Sequence, residues 1–98
     1  MAFEETFAAL QAKAGAAPAL GKTLKFVLGE HTVYIDGSGA GNLISQDTRD
    51  ADCTITIAIE DMDGLMAGTL NPMTAFMTGK IKVAGDMGVA MKLQSLFK

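Results

Sequence analysis

Along the first fifteen residues the apolar positions Phe3, Phe7, Leu10 and Ala14 recur at intervals that stack them on one face of a helix. Glu4 and Glu5 put negative charge beside the N-terminal dipole, and together these features predict a first helix over 3–14. From Gly15 to Gly21 the chain is mostly small residues around Pro18 and reads as a loop. The period then shortens to two. Leu24, Phe26 and Leu28 alternate with Thr23, Lys25 and Val27, and Val33 and Ile35 alternate with Thr32 and Tyr34, which predicts strands over 23–28 and 32–36. Gly29 and Glu30 sit between them at hairpin distance, although Gly-Glu is a weaker turn signal than Asn-Gly.

Asp36, Gly37, Ser38 and Gly39 read as a turn, and residues 42–45 as a short third strand. The sharpest alternation runs from Cys53 to Ile59, with Cys53, Ile55, Ile57 and Ile59 on one side and Thr54, Thr56 and Ala58 on the other. After Glu60 the spacing turns helical through Met62, Leu65 and Met66. Asn71 followed by Pro72 is an N-cap with proline at the first helical position, with Met73, Phe76 and Met77 behind it, so two short helices broken near Gly68 are expected. Lys80, Ile81, Lys82 and Val83 alternate as a last strand with its lysines turned outward, in the manner of an edge. A final helix follows from about Met87 to Phe97. No repeat, heptad array or linker interrupts this order, and a single domain over 1–98 is expected.

Composition narrows the class. With 49% hydrophobic and 19% charged residues the chain is too apolar for disorder and too interrupted by charge for a membrane span, so a soluble globular domain is expected. A net charge of -3 and a pI near 4.9 leave no basic stripe for a phosphate backbone, which argues against nucleic acid and disfavours anionic membrane surfaces. The single cysteine cannot form an internal disulfide, and no basic start with an apolar run opens the chain; a reducing, cytoplasmic location is the expectation.

Candidate chemistry is sparse. Gly37, Ser38, Gly39, Ala40, Gly41 and Asn42 invite a nucleotide-loop reading, but the third glycine of the fingerprint is missing and no helix opens after them, so a flexible turn is preferred. Asp61, Asp63 and Gly64 resemble part of a calcium loop that lacks its bidentate glutamate, and read better as acidic first-turn residues. Asp47, Asp50 and Asp52 are interleaved with Arg49 and read as a solvated loop. His31 is a lone turn histidine, and Cys53 a small hydrophobe on the inward face of a strand. No metal site and no catalytic residue is expected, since every enzyme hypothesis lacks a base and a group to orient it.

What remains is apolar. Six of the seven methionines form the pairs Met62 and Met66, Met73 and Met77, and Met87 and Met91, each four apart and stacked on one helix face. Thioether side chains suit irregular core space or variable apolar partners, so a methionine-rich core competes with a binding surface. The last helix tips the choice. Met87, Val89, Ala90, Met91, Leu93, Leu96 and Phe97 cover an arc of roughly 220°, leaving Gly88, Lys92 and Ser95 as the polar strip, about twice what a surface helix needs. Such a helix must bury two sides, one against its sheet and one against a ligand, another helix or a subunit. Gln94 falls inside that arc, where a buried amide needs a partner such as a ligand head group.

From Asp52 onward the order of features is a recognisable whole: strand, acidic helix start at Asp61, then Gly68, Thr69, Leu70, Asn71 and Pro72, then Ala75 through Val83, then Gly85, Asp86, Met87 and a helix. This half resembles the sterol carrier protein 2 domain family, and the helix, strands and loop before it agree in order. The resemblance implies an α/β domain of the α+β type, with about five strands in a mainly antiparallel sheet covered by helices that enclose an apolar tunnel. It implies a stand-alone bacterial member that binds fatty acids, fatty acyl-CoA, sterols or phospholipids without catalysis or cofactor, as a monomer or weak homodimer with transient membrane contact. The chain ends Ser95, Leu96, Phe97 and Lys98 rather than in a peroxisomal Ser-Lys-Leu address, which agrees with a cytoplasmic location.

On this reading the ligand is lined by Phe26, Leu28, Val33, Ile35, Ile57, Leu65, Met66, Met73, Phe76, Met77, Ile81, Val83, Met87 and Met91, with Gln94 at its head group. Burying about ten methylenes at ~0.8 kcal/mol each gives micromolar binding before association costs, tight enough to solubilise and loose enough to release. Two rivals stand beside it. The same apolar face could dock a partner protein or a second copy, as an accessory or scaffold domain in lipid or quinone metabolism. An enzyme acting on lipid thioesters has almost no residue support.

Overall fold

The computed structural model describes residues 3–96, with side-chain surroundings through Lys92. The order is α1 (Phe3–Ala16), β1 (Thr23–Leu28), β2 (His31–Asp36), β3 (Leu43–Ser45), β4 (Cys53–Ile57), α2 (Ile59–Ala67), α3 (Pro72–Met77), β5 (Ile81–Gly85) and α4 (Met87–Leu96). The strands form one mixed sheet in the order β3-β2-β1-β4-β5. Three pairings are antiparallel and the central β1–β4 pairing is parallel.

Register explains the single apolar face. Val33 opposes Phe26, Phe26 opposes Ile55 and Ile55 opposes Val83, so one row of side chains crosses four strands on the same side. Leu24, Ile35 and Cys53 form the next row, and the helices cover this face. The far face carries Lys25, Thr54, Thr56 and Lys82. Tyr34 also lies there but is buried, because Arg49 stands 4.7 Å over its ring and its hydroxyl donates to the Asp50 carbonyl at 3.4 Å.

Two expectations are corrected. The fourth strand stops at Ile57, not Ile59: β5 begins at Ile81, the partner of Ile57, so residues 58 and 59 have no ladder to join. Ala58 instead precedes α2, and Ile59 packs against the core from its first turn, where Glu60 and Asp61 face the helix dipole. The turn at 37–42 is also tied down. Asn42 Nδ2 donates to the carbonyls of Ala14 (2.9 Å) and Pro18 (3.1 Å), and its Oδ1 accepts from the Leu20 amide at 3.0 Å, which clamps the end of α1 to the start of β3.

Other contacts hold the helices in place. The buried Thr6 hydroxyl of α1 donates to Asp63 of α2 at 2.7 Å, and Phe3 stacks on His31 with ring centroids 4.1 Å apart. Gly68 ends α2 in the left-handed conformation, its φ of 79° being one that glycine adopts without strain. Among the described residues no helix is long and apolar enough to cross a membrane.

Candidate functional site: an apolar groove between two helices

The chain after Gly68 builds a groove from local rules. Asn71 caps α3, its Oδ1 accepting from the amides of Met73 (2.9 Å) and Thr74 (3.3 Å), while Pro72 occupies the first turn. The helix is only six residues long and buries Ala75, so Met73, Phe76 and Met77 remain exposed. At Gly79 the chain turns into β5, where Ile81 and Val83 face the same side as Ile57 and Ile55.

The start of α4 is fixed by a polar hub. Asp86 Oδ1 accepts from the amides of Gly88 (2.7 Å) and Val89 (3.4 Å), and the other oxygen of that carboxylate pairs with Lys22. The Asp86 amide donates to the Asp52 carbonyl at 2.8 Å, and Asp52 in turn accepts from the Thr23 amide and hydroxyl at 3.0 Å each. Only glycine fits at position 85: φ is 102°, and a Cβ would stand 2.3 Å from the Asp52 carbonyl oxygen. The Lys22 bond holds the Asp86 carboxyl below its ordinary range and lifts the Lys22 amine above its own. The Thr23 bonds depress Asp52 in the same way.

From that anchor α4 turns Val89 down into the core and presents Met87 and Met91 outward, 50% and 72% exposed. The described part of the apolar arc is thereby split between sheet and open space. Between α3, α4 and the β4–β5 edge lies a groove of about 140 Å³ lined by Ile55, Pro72, Met73, Phe76, Ile81, Val83, Met87, Ala90 and Met91. None of the described residues that line it is ionisable. Among the described residues it meets solvent along its methionine rim.

The structure thus brings Met73, Phe76, Ile81, Val83, Met87 and Met91 of the expected lining together. Phe26, Leu28, Val33, Ile35, Ile57 and Leu65 are elsewhere, sealed in the core. Met66 is half-buried against that core, Met77 is exposed off the groove, and the side chain of Gln94 lies outside the described residues. Sequence reasoning passed over Ile55, Pro72 and Ala90. Ile55 shares the inward period of β4 and Ala90 lies in the apolar arc, so both carried a signal, whereas Pro72 read only as a helix start.

Arg49 pairs with Asp47 at 2.6 Å, Asp61 faces Lys80 at 3.8 Å, and no group of three or more His, Cys, Asp or Glu that could hold a metal ion occurs among the described residues. Cys53 is buried, and burial pushes its thiol pKa up, which keeps it protonated and unreactive.

Comparison with known proteins now bears on this geometry. The family model described as the SCP-2 sterol transfer family matches residues 3–98. The chain belongs to that family. Among curated family proteins, sterol carrier protein 2 of Rattus norvegicus is 52% identical over 59 residues, which is 60% of this chain and 11% of that protein. The chain thus spans about a tenth of the length of that relative. Among solved structures, the sterol carrier protein domain 2 of Helicoverpa armigera is 30% identical with a TM-score of 0.73, over 97% of this chain and 84% of that one. A palmitated sterol carrier protein 2-like 2 of Aedes aegypti, 23% identical, shares the fold with a TM-score of 0.76 over 99% of this chain and 95% of that one.

Proposed function

We propose that this domain is a non-catalytic lipid carrier that holds the hydrocarbon part of a fatty acid, acyl-CoA, sterol or phospholipid in the groove between α3 and α4. One observation carries the reading: Met73, Met87 and Met91 stand half or more in water, and Phe76 nearly half, around a groove whose described lining carries no charge. Full burial of such side chains is worth ~1.5–3 kcal/mol each, so an apolar occupant that covers them recovers much of what the empty domain forgoes. The sterol transfer family supports a lipid ligand, and the palmitated relative an acyl one.

A groove of about 140 Å³ has the size of an engineered cavity that takes one benzene ring, so it accepts a segment of a chain. The remainder lies under the thioethers, whose unbranched side chains fold over partners of varied shape. Interaction through carbon alone reads chain length poorly, at ~1–3 kcal/mol per methylene, which suits a carrier of several lipids.

The test is native mass spectrometry of freshly purified protein with extraction of anything released, followed by uptake of a fluorescent fatty acid. Bound fatty acid, acyl-CoA or phospholipid and micromolar uptake are expected. Met91→Glu should abolish uptake with circular dichroism intact, because it places a carboxylate on the rim. A bare protein that ignores added lipid would sink the proposal.

A further inference from the structure

The carrier reading leaves the sulfur chemistry of the groove unused. Access divides the paired methionines: Met77 is 78% exposed, Met91 72%, Met73 53% and Met87 50%, whereas Met62 is fully buried. Met73, Met87 and Met91 edge the groove and Met77 does not. Among the described methionines, three accessible side chains thus lie where a ligand would, Met77 is accessible outside it, Met66 is half-buried and Met62 is sealed.

We infer that Met73, Met87 and Met91 form a reversible oxidation site for a two-electron oxidant such as hydrogen peroxide, and that their oxidation empties the groove; this rests on the carrier reading above. The sulfur lone pair attacks one peroxide oxygen, the S–O bond forms as the O–O bond breaks, and the departing hydroxide takes the proton of the transferred hydroxyl. The products are one sulfoxide and one water, sulfur losing the two electrons that peroxide gains. A flexible apolar rim becomes a polar one. Among the described residues the lining offers no side-chain N–H or O–H donor to the new oxygen, so covering it with hydrocarbon strands a polar group. Each rim sulfoxide should weaken binding roughly tenfold. An occupied groove shields the same sulfurs, so oxidation falls on the empty carrier first.

The experiment treats palmitate-loaded and delipidated protein with hydrogen peroxide, maps sulfoxide at each methionine by peptide mass spectrometry, and measures uptake of a fluorescent fatty acid with circular dichroism as a check on folding. Met77 should oxidise equally in both samples, Met73, Met87 and Met91 faster in the delipidated one, and Met62 slowest. Uptake should fall roughly tenfold per rim sulfoxide and return after treatment with the two methionine sulfoxide reductases that serve the two epimers. Met77→Leu should stay as peroxide-sensitive as the parent, while a Met87→Leu, Met91→Leu double variant should retain a larger fraction of its own untreated uptake. Rim sulfoxides with unchanged uptake, or a rim no faster to oxidise than Met62, overturn the inference and leave the carrier standing. Untreated protein that takes up no fatty acid overturns both.

Discussion

The two halves of one sheet face differ in how they are finished. Over β1 and β2 the rows Leu24, Ile35 and Phe26, Val33 are sealed beside Leu10 and Ala14 of α1 and Met62 and Leu65 of α2. Over β4 and β5 the Phe26 row continues through Ile55 and Val83, with Ile57 and Ile81 in the row beside it, yet a groove remains. Strand chemistry is alike in both halves; the helices make the difference. The fourteen-residue α1 turns a whole face downward, whereas the six-residue α3 buries one alanine and α4 splits its apolar arc. Apolar surface in the first half is spent on stability, and in the second it stays available to a ligand.

The sharpest way to break that comparison is to truncate one large side chain in each half. Phe26→Ala should cost about 3–5 kcal/mol of unfolding free energy in urea, because it leaves a cavity where packing is closed. Met91→Ala should cost less than about 0.5 kcal/mol, since the side chain is already mostly in water, while lowering fatty-acid uptake clearly. Equal costs at the two sites would mean that the groove is as sealed in solution as the core.

Next in size is Asn42, which belongs to the sealed half. Asn42→Ala removes bonds to the Ala14, Pro18 and Leu20 backbone and should cost about 1–3 kcal/mol, with little effect on uptake. Urea melts beside uptake assays on the same preparation check both. Loss of uptake together with stability would show that the two halves do not act separately.

Legibility in the sequence follows the same division. Alternation in β1, β2 and β4 and the Asn71-Pro72 start of α3 announced themselves, because period and capping are local. Asn42 read as part of a flexible turn because its partners lie some twenty to thirty residues back, and the end of β4 depended on where β5 begins to pair. Phe26 and Val83 carry the same pattern, so periodicity put both in the lining. The helices packed above them decide that one is closed over and the other is not. The overwide arc of α4 was the one local sign of the open half.

The smallest effect concerns the hub that sets α4 beside its groove. Asp86 is depressed mainly by its hydrogen bond from Lys22, so it contributes stability above its ordinary value of 3.8, and loses it as pH falls through the lower folded value. Lys22 is raised by the same partner, so its contribution is complete below its ordinary value of 10.5 and fades as pH rises through the higher folded value. Between those limits the pair should be indifferent to pH, and salt should weaken it because the partners are exposed. Nuclear magnetic resonance of the Gly88 and Val89 amides, which donate to Asp86, should show a midpoint below 3.8 and a flat response through neutrality. Lys22→Met should raise that midpoint and leave the core amides of β1 unmoved, since the lysine's hydrogen-bonded partner is Asp86 at the helix start. A midpoint indifferent to Lys22 would transfer the anchoring of α4 to the backbone bond between Asp86 and Asp52, the other link joining its first turn to the sheet.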